Sequence, residues 1–307
     1  MRYCRFILPF LLLCLSAAAE DKPATGNAMD FLGMPRGTAR SAMAGAGSAS
    51  VSASAAFSAF DNPSILPFAT GKVDASFSYG RWAPSTPGCL SDNLGVGIAF
   101  KPLRALALSV AVVNQAHPVL EIPGYEPFRP LDGLASLGAG VSFGAHFSIG
   151  ASFKYAYQRV LSDNVYSAFA FNAMAQYHGG HFDIAAGVVN VGGDVKSKDG
   201  SAYPLPSAAR ISGSYHGDIG KSRFEADLDA DCYFSGKFGI AAGVQYTFND
   251  LLFARAGYRY ATAGAVLPSH LALGLGVQWK GFCLEASYIT ANDIIGNSFS
   301  LSIGYRY

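Results

Sequence analysis

From Lys72 to Tyr307 the chain alternates apolar and polar residues with a period of two. Successive side chains of an extended strand point to opposite faces, so this period predicts strands with one apolar and one polar face. Phe147, Ile149, Ala151, Phe153, Tyr155 and Tyr157 share a face opposite Ser148, Gly150, Ser152, Lys154 and Gln158. Leu271, Leu273, Leu275, Val277 and Trp279 likewise oppose Ala272, Gly274, Gly276, Gln278 and Lys280. The final residues repeat the pattern, with Phe299, Leu301, Ile303, Tyr305 and Tyr307 on one face and Ser298, Ser300, Ser302, Gly304 and Arg306 on the other. In all, the pattern predicts fourteen strands, at about 72–82, 92–101, 104–114, 134–145, 147–158, 164–178, 181–190, 206–217, 222–234, 237–248, 251–261, 269–279, 282–290 and 297–307.

Connection length alternates as well. Tight connections fall at Pro102-Leu103, Gly144–His146, Gly179-Gly180, Gly217–Lys221, Asn249-Asp250 and Lys280-Gly281, and longer ones at 83–91, 115–133, 191–205, 262–268 and 291–296. The connections near 159–163 and 235–236 are short exceptions. Composition then decides the medium. Half of the residues are hydrophobic and only 14% are charged, which conflicts with a chain wholly surrounded by water. No stretch after the first twenty residues is long and apolar enough for a membrane helix. A transmembrane antiparallel β-barrel reconciles these facts, because its outer face is apolar while each strand stays half polar. Short turns would then lie at the periplasmic end and long loops outside.

The N-terminus reads as a secretory signal over residues 1–19, with Arg2 and Arg5, the apolar run Phe6–Leu15, and small residues Ala17 and Ala19 before Glu20. Residues 20–68 form a second region, and residues 69–307 the barrel. Asn27–Ser58 is rich in Ala, Ser and Gly without long alternation, which predicts a compact plug-like segment of short helix and turn. Asp61-Asn62-Pro63-Ser64 breaks the chain as a turn. The abundant wall glycines let strands kink and let a plug approach the barrel. Without Arg2 and Arg5, 20 basic residues face 21 acidic ones, a net of −1 that gives no hint of nucleic-acid binding. Cys89, Cys232 and Cys283 are an odd set that does not read as a disulfide framework, although one bridge is left open.

The polar faces carry charge. Glu225, Asp227, Asp229 and Asp231 share one face of a strand, and Arg210, Arg255 and Arg259 lie on inward faces of others, with Lys154 and Arg306. Unpaired charge facing lipid costs several kcal/mol, so these residues are assigned to the lumen, pairing across it or contacting a plug. A substrate path is the alternative. Other motifs carry no chemistry in this setting. Gly140-Val141-Ser142-Phe143-Gly144 matches a hydrolase pattern, but Ser142 sits within an alternating strand and not on a strand-to-helix turn. His178 and His181 flank a tight turn with only Asp183 nearby, so no metal site is expected. Gly45-Ala46-Gly47 lacks the third glycine of a nucleotide fingerprint. Nothing suggests a cofactor or a catalytic residue, and the chain reads as non-enzymatic.

The terminal strand, closing on the aromatic Tyr307, resembles the assembly signal read by the barrel-assembly machinery of bacterial outer membranes, with Ser302 where that signal often has Gly. The order of motifs resembles the PorV/PorQ family of outer-membrane proteins, related in architecture to FadL-type transporters. It runs from Phe31-Leu32 and Ala39-Arg40-Ser41-Ala42-Met43-Ala44-Gly45-Ala46-Gly47 to Asn62-Pro63-Ser64. It continues through Asn190-Val191-Gly192, Leu205-Pro206 and Arg210-Ile211-Ser212-Gly213-Ser214-Tyr215 to Gly304-Tyr305-Arg306-Tyr307. The resemblance implies a fourteen-stranded barrel with its N-terminal segment inside as a plug, the motif residues Ala39, Arg40, Gly45, Gly47, Asn62 and Pro63 lying in that plug. It also implies the outer membrane of a Bacteroidetes-like Gram-negative host and a part in type IX secretion, with secretion-system components or secreted cargo C-terminal domains as partners besides lipid.

Two functions follow as expectations. One is a secretion-associated barrel that binds partner proteins through the loop 115–133, where Leu120, Ile122, Tyr125, Phe128 and Arg129 exceed the apolar content a solvated loop needs. The other is a FadL-like transporter of hydrophobic small molecules, which needs an apolar pocket beside the plug. A membrane-embedded lipid-modifying enzyme ranks last, because no Ser/His/Asp arrangement stands out on the strands.

Overall fold

The structure is a computed structural model that describes residues 26–83, 90–121, 123–124, 126–161, 164–290 and 296–307. The segment read as a secretory signal lies outside the described residues. The strands up to the longest loop are β1 (Val73–Trp82), β2 (Ser91–Phe100), β3 (Leu106–Ala116), β4 (Leu131–Phe143), β5 (Phe147–Leu161), β6 (Asn164–His178) and β7 (Phe182–Gly192). The loop after β7 holds a small hairpin of β8 (Val195–Lys196) and β9 (Ala202–Tyr203). The chain continues with β10 (Ala208–Ile219), β11 (Ser222–Tyr233), β12 (Phe238–Phe248), β13 (Leu252–Ala261), β14 (His270–Trp279), β15 (Phe282–Ile289) and β16 (Ser298–Arg306).

All but β8 and β9 join in one closed antiparallel barrel of fourteen strands among the described residues. Closure is made between the first strand and the last, in register from Asp74 opposite Arg306 to Arg81 opposite Phe299. Tyr307 continues the ladder, exchanging backbone hydrogen bonds with Val73 at 2.9 and 3.0 Å. A closed ladder leaves no unpaired strand edge, which is what allows a sheet to sit in hydrocarbon.

The predicted alternation sorts side chains between lipid and lumen. On β5, Phe147 and Ile149 are exposed while Ser148, Ser152 and Lys154 are buried. On β16, Phe299, Leu301, Ile303, Tyr305 and Tyr307 are exposed, and Ser298 and Ser302 face inward and are buried. Among the described residues no helix is long and apolar enough to cross a membrane; crossing is by strands. At the short-turn end Trp279, Phe282, Tyr305 and Tyr307 form part of an outward aromatic border, with Phe282 and Tyr305 ring centres 4.8 Å apart.

Within the barrel lies the N-terminal segment. It consists of a 3₁₀ turn at Asp30–Gly33, a one-turn helix at Thr38–Ala42, and further 3₁₀ turns at Ser58–Phe60 and Pro63–Ile65. Asn62 starts the last of these, its Oδ1 accepting from the Ser64 N–H at 3.0 Å while Pro63 takes the first position, where no donor is needed. The segment enters beside the long loops, where the Ala28 N–H donates to Pro204 O at 2.9 Å. It leaves at the short-turn end, where Lys72 meets Tyr307. Its residues Ala44, Ala46, Ala49, Ala56, Ala59 and Ser64 have essentially no exposure.

Small side chains in the plug meet missing side chains in the wall. A Cβ on Gly150 would stand 2.3 Å from the Ser64 nitrogen, and one on Gly257 would stand 2.3 Å from the Met43 carbonyl carbon. Both obstacles are backbone, so at these two positions the close approach itself requires glycine.

Candidate functional site

The functional part of the molecule is the lumen, where plug and wall meet. Its polar side is built on β10, β11 and β13. Asp61 of the plug is ion-paired to Arg40, also of the plug, and to Arg210 of β10. Asp231 accepts from Arg210 at 2.6 Å and from Arg259 at 2.9 Å. Asp229 takes Arg40 at 3.1 Å, the backbone N–H groups of Gly47 and Ser48 at 3.2 Å, and the Ser212 hydroxyl at 2.5 Å. Glu225 accepts from Ser50 and Ser52 of the plug and from Ser214 at 3.3 Å. Of the charged residues expected in the lumen, Glu225, Asp229, Asp231, Arg210 and Arg259 thus belong to one network that reaches into the plug. Asp227 is buried in the same row with no hydrogen-bond partner for either oxygen, and Arg255 belongs elsewhere, paired with Glu285 at 2.7 Å.

A second set of anchors is uncharged apart from Lys154. The Lys154 ammonium has no exposed surface and donates to Phe60 O at 2.7 Å and to Asn190 Oδ1 at 2.6 Å. Asn172 donates to Asp61 O at 2.8 Å, and Gln176 to Ala49 O at 3.0 Å. Asn62 returns the contact, donating to Ser48 O at 2.9 Å and Gln176 Oε1 at 3.1 Å. Asn190 sits in a left-handed conformation with φ 57° at an irregularity in the β6–β7 ladder, its N–H donating to Asn172 Oδ1 at 2.8 Å. Sequence reading missed Asn172 and Gln176 as plug contacts, although both are amides in an inward row of β6 whose other buried members are Ala168, Ala170 and Met174.

The opposite side of the plug is different. Around the turn Met34–Thr38 a cavity of about 70 Å³ separates the plug from β1, β2, β3, β15 and β16. Trp82, Val113 and Ile289 of the wall and Met34 of the plug contribute apolar surface to it, and Arg36, Asn93, Ser287 and Ser300 also line it. At the short-turn end a separate and more polar cavity of about 310 Å³ lies between plug residues 52–54 and the wall.

In the plug motif Ala39, Gly45, Gly47, Asn62 and Pro63 are buried and Arg40 is half-buried. In the loop after β3, Leu120 and Phe128 exchange backbone hydrogen bonds at 2.7 and 3.0 Å, and both are half-buried. Arg129 is exposed, Arg159 lies over the Phe128 ring at 5.1 Å, and Ile122 and Tyr125 lie outside the described residues. Ser142 is a strand residue of β4 whose N–H donates to Ala105 O at 2.8 Å. His178 Nδ1 is hydrogen-bonded to Asp183 Oδ1 at 2.5 Å, and no group of three or more His, Cys, Asp or Glu among the described residues could hold a metal ion. Cys232 is disulfide-bonded and Cys283 is free, while Cys89 lies outside the described residues. The odd cysteine count hid that one bridge.

No family model matches the chain, and no curated protein matches it. Solved structures do. The Ralstonia pickettii toluene transporter TbuX superposes with a TM-score of 0.60 at 11% identity, over 89% of this chain and 98% of that one. The monoaromatic hydrocarbon channel CymD gives 0.62 at 11% identity with the same coverage. A FadL homologue from Pseudomonas aeruginosa gives 0.51 at 12% identity, again over 89% and 98%. At these identities the likeness concerns the fold. It is the fold of FadL-like outer-membrane barrels, and with the apolar outer face it makes this chain an integral barrel of that architecture. The secretion-associated branch of the expected resemblance gains no support from these neighbours.

Proposed function

We propose that the protein is a non-enzymatic outer-membrane channel for small apolar molecules, entered from the long-loop end. The observation that carries this reading is the asymmetry of the plug. Its β10–β13 side is fixed by buried ion pairs, whereas its turn at Met34–Thr38 faces a largely apolar cavity. Pockets whose surface is mostly apolar suit apolar ligands. The cavity volume of about 70 Å³ is smaller than the roughly 150 Å³ that holds a benzene ring in an engineered protein core. Passage therefore requires the Met34–Thr38 turn to move while the ion-paired part of the plug stays.

The test is uptake of toluene by proteoliposomes, with a polar solute of similar size as control. Saturable toluene uptake that falls when Val113→Trp fills the cavity supports the proposal; uptake no faster than through empty liposomes overturns it.

A second reading keeps the loop after β3 as a docking surface for secretion-system components or secreted cargo domains. The Leu120–Phe128 bridge, with Arg159 packed on Phe128, favours it, because a preformed hairpin loses little freedom on binding. Removing residues 120–129 should abolish partner crosslinking in the native host without affecting barrel assembly.

A further inference from the structure

The cavity at the short-turn end has a donor and acceptor inventory of its own. Its two inward carboxylates are already used. Glu285 accepts from Arg255 Nη1 at 2.7 Å and from the Ser302 hydroxyl at 2.9 Å. Asp74 accepts from the Ser54 hydroxyl at 2.8 Å, the Ala55 N–H at 2.9 Å and Arg306 Nε at 3.2 Å. The guanidiniums are not used up. Arg255 spends Nε on Gln245 at 2.5 Å and Nη1 on Glu285. Arg306 spends Nε on Asp74 and Nη1 on Ser52 O and Thr70 Oγ1, at 3.3 and 3.1 Å. Each keeps an Nη2 with no partner among the described residues, and neither Nη2 is sealed from solvent.

With Glu285 and Asp74 satisfied, the third carboxylate of the lining, Asp250, exposed at the Asn249-Asp250 turn, and free donors left on the arginines, the lumenal part of the cavity is complementary to a group that only accepts. A carboxylate is such a group, and arginine binds it with charge-assisted hydrogen bonds. The cavity, at about 310 Å³, also has a hydrocarbon side: Arg255 lies 4.4 Å above the Phe253 ring, and Phe253 itself lines the space. We propose that this cavity binds small organic carboxylates arriving from the short-turn side, held by Arg255 and Arg306 with the organic part towards Phe253. The site is separate from the cavity at Met34–Thr38 and stands whether or not apolar molecules pass the plug.

Cys283 provides the readout. It is free, half-buried and lines the same cavity. The experiment follows alkylation of Cys283 by N-ethylmaleimide in the purified full-length barrel, by mass spectrometry of the peptide that contains it. Benzoate is the probe and benzamide its neutral counterpart. Benzoate should slow alkylation saturably, and benzamide should not. Arg306→Gln and Arg255→Gln should each weaken protection roughly tenfold or more, the effect of losing a charge-assisted bond. Arg306→Lys, which keeps the charge, should retain part of it. Heat-modifiable migration shows that each variant still has its barrel, and protection is read in each as the ratio of its alkylation rates with and without benzoate. Equal protection by benzamide, undiminished protection in both glutamine variants, or no protection of the native protein overturns the proposal.

Discussion

Arg40 on the plug helix donates to Asp229 on the barrel wall at 3.1 Å, although 189 positions separate them. Around this pair Asp229 also accepts from the backbone of Gly47 and Ser48, so a single wall carboxylate holds both a plug side chain and two plug amides.

Replacing Asp229 by alanine strands those donors. Removing one member of a buried pair typically costs about 3–5 kcal/mol because the other charge is left without a partner. Asp229→Ala should therefore lower the unfolding temperature and expose the segment 40–50 to added protease, while the heat-modifiable migration of a folded barrel persists. Asp229→Asn keeps the shape and some acceptors and should fall between. Equal protease resistance in all three proteins would mean that the plug is held elsewhere.

Gly257→Ala probes the close approach on the wall. Its new Cβ would meet the Met43 backbone, so the plug must withdraw or the strand must shift. Overpacking of this kind costs about 1–3 kcal/mol. The expected result is a destabilised barrel with faster hydrogen exchange confined to residues around Met43 and β13. Native exchange rates throughout would contradict the packing described.

Asn190 combines two demands. Its left-handed φ favours Asn or Gly, and its amide supplies an acceptor to the buried Lys154. Asn190→Gly loses only the side-chain bonds, whereas Asn190→Ala also strains the backbone. Alanine should be the more damaging by about 1 kcal/mol in chemical denaturation. The reverse order would remove the backbone from the explanation.

The strands were legible in the sequence because a lipid face and a lumen face force period-two alternation over every crossing. Predicted and observed ends differ by a few residues at most, as at β4, which begins at Leu131 where alternation predicts 134. Gly133 leaves a gap in the outward row between Leu131 and Ala135, and pairing with β3 and β5 carries the strand across it. The inward direction of Glu225, Asp229 and Arg210 followed from the same period. Their partners did not, because Asp61 and Arg210 meet across 149 positions through the path of a plug that has no periodic signal. The β8–β9 hairpin is two residues a side and too short to alternate. Nor could the Asn190 irregularity be read from its neighbours: its Asn-Val-Gly sequence looks like an ordinary strand end, and only the ladder reveals the left-handed turn.

The central claim is that the turn at Met34–Thr38 must move for an apolar molecule to pass. A Cβ on Gly33 would lie 3.5 Å from the Val266 Cβ, a separation suited to a disulfide. The decisive measurement is toluene uptake by proteoliposomes carrying Gly33→Cys/Val266→Cys, oxidised and then reduced, with the native protein given the same treatments. Uptake blocked in the oxidised tether, restored on reduction and unaffected by either treatment in the native protein is the predicted result. Equal uptake with the tether closed and open would contradict it.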